Sequence, residues 1–362
     1  MTDIAVVGAG LIGRRHAEAV LAAPGVRLSA LVDPAPEAAA LAQRMGVPHL
    51  PDLEALLAGP RPDGVILATP NTHHVPGGLA CIAAGLPVLV EKPLATDIAG
   101  ARRLVEAAEA AGVPLLTGHH RGHNPIVAAA RARIAAGEIG RPVSAHVMYW
   151  ICKPDPYFDT AWRRAPGAGP VYLNLSHDID LMRHLLGEID SVQAMESSAI
   201  RGNAVEESAV ILLRFASGAL GTVNISDTIP APWSWEMTTG ENPAYPRTDA
   251  PCYFIGGTAG SLEMPLNRLW HDEGKRDWWA PISARMAAWP EAGDPLLRQV
   301  GQFARVIRGE EAPLVSGREG LATLAVVEAV KQAAASGTPV TPQGRAAAEG
   351  GAGPSPERAG LP

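Results

Sequence analysis

Ile4-Ala5-Val6-Val7-Gly8-Ala9-Gly10-Leu11-Ile12-Gly13 decides the fold. Four apolar residues read as a short strand buried on both faces, and a helical run over residues 14–22 follows the third glycine. In that strand, turn and helix setting the glycines have separate tasks. Gly8 makes the turn, Gly10 lets the backbone approach a pyrophosphate, and Gly13 lets the helix pack close to the strand, with Leu11 and Ile12 between them. Free backbone N–H groups at the helix start then meet the phosphate charge. A second strand over residues 28–32 ends in Asp33, 20 residues past Gly13. A carboxylate there accepts both ribose hydroxyls of NAD and repels a 2′-phosphate, and Pro34 and Ala35 add no positive charge. NAD is therefore the expected cofactor.

The unit repeats outward from this stretch. Residues 63–68, 88–90 and 114–117 read as strands and 75–84 and 99–111 as helices, an alternation that predicts a parallel, doubly wound sheet. Thr69-Pro70-Asn71 ends one strand beside the Gly-rich turn, where Thr and Asn can bond a ribose or merely shape the turn. Val88-Leu89-Val90-Glu91-Lys92-Pro93 ends another, with Glu and Lys arriving at the strand edge where open α/β sheets bind ligands.

Length and composition divide the chain. At 362 residues two domains are expected, and all 17 aromatic residues lie at or after Tyr149, so the two halves pack by different rules. The expected division is an NAD-binding Rossmann domain over 1–122, a substrate-binding and oligomerisation α+β domain over 123–342, and a disordered Gly, Pro and Ala tail over 343–362. Three scattered cysteines, Cys81, Cys152 and Cys252, fit reduced fillers rather than a disulfide framework. A net charge of -7 offers no footprint for nucleic acid or anionic membrane, and the chain shows neither a long apolar run nor a basic leader. A cytoplasmic protein is expected.

Gly8 to Gly13, then Ala68-Thr69-Pro70-Asn71 with His74 three positions on, then Glu91-Lys92-Pro93-Leu94-Ala95, together resemble the Gfo/Idh/MocA oxidoreductases, the glucose-fructose oxidoreductase and inositol dehydrogenase group. The resemblance extends to about residue 335, and the Glu-Lys-Pro triplet is its specific element. It implies that Lys92 reaches the nicotinamide and the substrate hydroxyl, that Glu91 and His74 help form the cofactor site, and that a cis peptide bond precedes Pro93. It also implies two successive arginines after the last Rossmann strand, in the loop His119-His120-Arg121-Gly122-His123. Arg121 keeps that place beside the cofactor; Gly122 departs from it. Three close histidines here lack the Cys or carboxylate spacing of a metal site, and no metal is expected.

The second half supplies a substrate wall. Trp162-Arg163 matches the Trp-Arg pair of the resemblance, which implies contact with cofactor and, for Arg163, substrate; Lys153 and Tyr157 are further candidates on the same wall. On a helix over 171–186, His177 matches the catalytic histidine of the resemblance and Asp178 the acidic run after it, but Leu173 stands where an Asp is implied. Asn174 is the nearest polar group, about 100° round the helix. Either the backbone tightens to re-aim Asn174, or the Asp role is lost. His184 reads as structural.

From residue 192 onward the pattern turns to strands, with an antiparallel hairpin over 205–215 and 219–227 around Ser217-Gly218. With 143–150, 253–255 and 261–264 they form an open, mostly antiparallel sheet covered by helices on one face, so a homodimer or homotetramer through the other face is expected. Trp233-Ser234-Trp235 and Trp278-Trp279 are expected at that interface. A late helix occupies 318–335.

The expected chemistry is NAD-dependent oxidation of a secondary alcohol on a sugar, polyol, inositol or related hydroxylated ring. His177 is the expected base and Lys92 the charge that holds the alkoxide, or the reverse, with Asn174, Asp178, Lys153, Tyr157 and Arg163 orienting the substrate. Two alternatives stay open: a redox-neutral epimerase, lyase or glycosidase that uses NAD transiently, and a NAD-sensing binding protein.

Overall fold

The computed structural model describes residues 1–274, 277–286 and 293–343. Its first sheet joins β1 (Thr2–Val7), β2 (Val26–Val32), β3 (His49–Leu50), β4 (Gly64–Leu67), β5 (Val88–Val90) and β6 (Leu115–Thr117) in the order β3-β2-β1-β4-β5-β6, all parallel. The order reverses between β1 and β4, which opens a crevice at their carboxyl ends, over the Gly-rich turn. Helices α1 (Leu11–Ala22) and α2 (Pro36–Met45) cover one face; α3 (Leu53–Ala58), α4 (His74–Ala83) and α5 (Ile98–Ala111) cover the other. The strands are short runs of Val, Ile, Leu and Ala buried on both sides, as a sheet sandwiched between helices requires.

After α6 (Pro125–Ala135) a second sheet assembles from β7 (Pro142–Trp150), β8 (Ile189–Ser197), β9 (Ser208–Phe215), β10 (Leu220–Ser226), β11 (Tyr253–Gly257), β12 (Ser261–Met264), β13 (Arg268–Asp272) and β14 (Ile282–Met286). The order is β14-β13-β12-β11-β7-β10-β9-β8, and only β7 and β10 run parallel. Alternation along β9 sends Ala209, Ile211, Leu213 and Phe215 inward onto α6, α7 (Ser176–Leu186) and the last helix, α10 (Gly317–Ser336). Val210 and Leu212, with Met195 and Leu220 beside them, point the other way and stay exposed. One face is covered and one is bare, as the alternation implies.

The structure departs from expectation at Trp235, at a further helix near residue 300 and at Cys152. Short α8 (Trp235–Thr239) carries Trp235 into the core, 1% exposed with its indole N–H on Glu241 at 2.9 Å, so that tryptophan does not belong to the bare face. Trp278 and Trp279 are almost wholly exposed. Helix α9 (Pro295–Ile307) had no counterpart in the sequence reading, and it returns to the first domain: Leu296, Val300, Phe303 and Ala304 pack with Ile4, Val6 and Leu89. The first core is thus closed by a segment nearly 300 residues away in the chain. Cys152 is exposed and fills nothing. Apart from Gln343, the expected disordered tail lies outside the described residues. Among the described residues no helix is long and apolar enough to cross a membrane.

Candidate active site

The cradle fits a dinucleotide. Gly8 adopts φ +99°, and a Cβ there would lie 2.4 Å from the Ala68 carbonyl oxygen; at Gly13 a Cβ would lie 1.9 Å from the Gly8 oxygen. Gly10 has open space around its Cβ position and heads α1 without a side-chain cap, leaving the helix N–H groups for an anion. Beside it lies a cleft of about 800 Å3 lined by Gly8, Asp33, Leu53, Thr69 and Pro70 among others. Asp33 ends β2 and accepts backbone N–H bonds from Ala9 at 2.7 Å and Ala35 at 2.8 Å, so it props the turn while facing the cleft. Thr69 Oγ1 is buried with no hydrogen-bond partner in the protein, as a side chain awaiting a ligand group would be. Asn71 lines a different cavity, of about 840 Å3, on the Pro93 side.

Two residues placed in the cofactor site by resemblance turn out to be braces. His74 is fully buried, with one ring nitrogen 2.8 Å from the Pro93 carbonyl and the other 2.9 Å from the Thr69 carbonyl, tying the β4 and β5 loops together. Glu91 is buried against His16 of α1 at 2.7 Å and also takes the Lys92 amide N–H. Burial would raise its carboxyl, but the His16 hydrogen bond and the charges of His16, His120 and Lys92 outweigh that and hold it at about 2. Both side chains are held by partners within the protein. The Lys92–Pro93 peptide is cis.

The departure at Leu173 coincides with a change in the backbone. Val171–Leu175 is wound as a π-helix, wider rather than tighter than the α-helix it leads into. Glu206 holds the start of that turn by accepting the Val171 N–H at 3.1 Å, and Lys331 neutralises Glu206 at 2.7 Å. Within the turn the Leu173 main-chain carbonyl accepts from Lys92 Nζ at 3.1 Å, while Asn174 Oδ1 accepts from Lys153 Nζ at 3.0 Å. Each of the two residues in question therefore steers a different lysine.

His177 follows on the first turn of α7, 8% exposed, with Nδ1 buried and without a partner. His119 and His120 meet its ring edge-on at centroid distances of 5.6 and 5.2 Å. Burial first, then the charges of Lys92 and Arg121, push its pKa well below the ordinary histidine value, so the ring is neutral and basic nitrogen is available. Burial also lowers Lys92, against the attraction of Glu91.

Arg121 and Asp178 are likewise not on the open wall. Arg121 is 3% exposed, bonded to Asp178 at 3.0 Å and Glu236 at 2.6 Å, and it lies over the Trp235 ring. Asp178 is buried and also accepts from the Tyr253 hydroxyl; burial raises its carboxyl to about 6. The pair fixes the loop after β6 to α7, one residue behind His177. Gly122 faces away from the site: its Cβ position is 3.5 Å from Leu314. His120 is held by Glu241 at 2.9 Å.

On the remaining wall, Tyr157 lies beneath two cations, Lys153 at 5.2 Å and Arg163 at 4.1 Å from its ring. Lys153 pairs with Asp227 at 3.0 Å, and Asp227 also binds Arg201. Trp162 is 54% exposed, with Arg163 5.5 Å from its ring. His16, Glu206, Asp227, Glu236, Glu241 and Lys331 escaped the sequence reading. Each has a partner between 35 and 125 residues away, so no local pattern marks them, apart from His16, three residues past Gly13 on the helix that must touch the neighbouring strands.

Comparison with known proteins agrees with this geometry. Residues 2–119 match the model of an oxidoreductase family with an NAD-binding Rossmann fold, and residues 127–263 match the GFO/IDH/MocA C-terminal domain. The chain is 29% identical over 346 residues to 1,5-anhydro-D-fructose reductase of Ensifer adhaerens, covering 92% of this chain and 96% of that protein. It is 30% identical to scyllo-inositol 2-dehydrogenase (NAD(+)) of Bacillus subtilis, over 62% of this chain and 67% of that protein. Among solved structures it is similar to the WlbA dehydrogenase from Bordetella pertussis in complex with NADH and UDP-GlcNAcA, at 26% identity and a TM-score of 0.73, over 93% of this chain and 98% of that one.

Proposed function

Since this chain belongs to the Gfo/Idh/MocA family of NAD-dependent oxidoreductases, we propose that Lys92 and His177 are the pair that handles the substrate hydroxyl, on a sugar or polyol. The observation that carries this reading is the buried, unpartnered Nδ1 of a neutral His177, close enough to the Lys92 ammonium for that charge to lower its pKa. Bound NAD supplies the hydride acceptor. Gly8, Gly10, Leu11, Ile12 and Gly13 would hold its pyrophosphate through backbone N–H groups, Asp33 and Thr69 would take its ribose hydroxyls, and Pro70 shapes the cleft beside them. Trp162 and Arg163 would meet it from the wall.

His177 takes the hydroxyl proton as the alcohol is oxidised, because its neutral ring has a free basic nitrogen at working pH. Lys92, steered by the Leu173 carbonyl, holds the alkoxide as negative charge develops. Asn174 and Lys153 orient a neighbouring hydroxyl or other polar substituent, and Tyr157 offers a ring face beside them. Arg121 and Asp178 act through His177 by fixing the helix that carries it.

A panel of sugars, polyols, aldonates and inositols incubated with NAD, read by the appearance of reduced nicotinamide, tests the reading. Formation of NADH with one of them is expected; bound NAD that never accumulates as NADH while substrate is nonetheless converted would overturn it in favour of a redox-neutral reaction.

The bare face of the second sheet, with Met195, Val210, Leu212 and Leu220 in water, supports assembly into a homodimer or homotetramer through that face. Sedimentation at micromolar concentration should show a species larger than the 37.7 kDa chain; a single monomer species would refute the assembly.

A further inference from the structure

We propose that the substrate carries a carboxylate as well as its reacting hydroxyl, and that Lys153, Arg163 and Arg201 receive it; this rests on the dehydrogenase reading above. Leu173 and Asn174 are consecutive, so the ammonium groups they bind, Lys92 and Lys153, flank a single turn of the wall. Arg163 joins Lys153 over the Tyr157 ring, and Arg201 lies over the next ring, Phe158, at 4.2 Å. Four cations therefore gather on one stretch.

The carboxylates around them fall short. Asp227 serves both Lys153 and Arg201. Among the described residues neither Lys92 nor Arg163 has a carboxylate within ion-pair distance, and Arg163 Nε is buried with no hydrogen-bond partner. Glu236 and Asp178 are bonded to Arg121, and Glu91, which attracts Lys92, is already bound to His16. Arg163 donates one terminal N–H to the Tyr157 carbonyl at 2.8 Å, but its buried Nε donor stays unmatched, which is costly unless an anion arrives to meet it, and a guanidinium matches a carboxylate with two parallel bonds. The wall has also lost an acid: position 173, where the resemblance implies an aspartate that would repel such a group, is leucine. A neutral polyol can accept from these donors but leaves the excess charge in place. The ligand class is thus a polyhydroxylated carboxylate, an aldonate or a uronate.

Calorimetric titration of the NADH-loaded protein with aldonates and uronates, each paired with its alditol or aldose (D-gluconate with D-glucitol, D-glucuronate with D-glucose), reads this directly, and loaded cofactor keeps the anion out of the pyrophosphate cradle. The tightest ligand should be a carboxylate, bound at least about tenfold more tightly than its neutral partner. Arg163→Gln should cut that ratio about tenfold, and Lys153→Met should cut it similarly. A neutral compound as the tightest ligand, or no binding by any carboxylate in the panel, overturns the inference. NADH formed from neutral members alone removes the carboxylate and keeps the dehydrogenase; carboxylate binding with no NADH from any member removes the dehydrogenase alone.

Discussion

The Gly-rich cradle and the wall opposite it handle charge in opposite ways. In the cradle an anion is met by main-chain N–H groups, and Asp33, the acid at the end of β2, is already held by two of them. Nothing there depends on a side chain's protonation state at working pH. Around the reacting site, Lys92, His177, Asp178 and Lys153 are withdrawn from water, and burial first, then neighbouring charges, shift each of them. A binding site built from backbone is rigid and indifferent to pH, whereas a reacting site needs groups that neighbours can tune. Substitutions in the two regions should therefore fail differently.

The largest separation is expected at the catalytic pair. Lys92→Met and His177→Ala should each lower kcat by about 10²–10⁴ while NAD affinity changes only a few-fold. Once one partner is missing the hydroxyl is no longer poised for the other, so the double variant should resemble the worse single one. Steady-state rates with NAD titrations on the same samples check both halves. A His177→Ala enzyme with near-normal kcat would show that the histidine is a core residue.

The converse substitution lies in the cradle. NAD should bind at least about tenfold more tightly than NADP, since Asp33 faces the added phosphate, and Asp33→Ser should narrow that gap. Because Asp33 also props Ala9 and Ala35, some NAD affinity should be lost as well. Tighter binding of NADP by the unaltered protein would remove Asp33 from its assigned role.

The same contrast governs what could be read from sequence. Gly8, Gly10, Gly13 and Asp33 act within 26 residues of one another through backbone geometry, and a spacing states that fully. Lys92 and His177 were legible because motifs mark both. The structure gathers Lys153 and Arg163 around Tyr157, and it ties Glu91, His74, Arg121 and Asp178 to other parts of the chain. Motif position says that a residue matters near a site; it does not say which way the side chain turns once a distant partner such as His16, Glu236 or Tyr253 claims it. The π-turn at Leu173 depends likewise on Glu206 and Lys331, from two other elements. Helix α9 escaped for a related reason, since its apolar face matches a core laid down at the other end of the chain.

The pH profile sharpens the comparison further, with effects of a few-fold within each limb. His177 must be neutral to accept a proton, and its pKa lies well below the ordinary 6.5, so the acid limb of kcat/KM should fall below pH 6.5. Lys92 must stay charged, and burial lowers its pKa, so the alkaline limb should begin below the ordinary 10.5. Burial is the largest cause at His177 and the Lys92 charge the next. In the residual activity of Lys92→Met the acid limb should therefore move upward. An unmoved limb would separate the two groups. NAD binding, by contrast, should be flat across the same range.

Gly122 should show the smallest effect, although the sequence makes it look like a large one. The resemblance implies an arginine at that position beside the cofactor, which makes glycine there look like a missing functional group. In the structure Gly122 is buried and turned toward Leu314 and Val315, and its φ does not require glycine. An added Cβ would stand 3.5 Å from the Leu314 methyl, an ordinary van der Waals contact. Gly122→Ala should therefore leave kcat/KM and NAD affinity within about twofold. By restricting the unfolded chain it should stabilise the protein by about 0.4–1 kcal/mol, because the native conformation suits both residues. Thermal unfolding together with kcat/KM checks this. A rise in Tm with unchanged kinetics places Gly122 among the packing residues; a loss of activity beyond tenfold would mean that the loop after β6 approaches the reacting centre more closely than Arg121 and its two carboxylates allow.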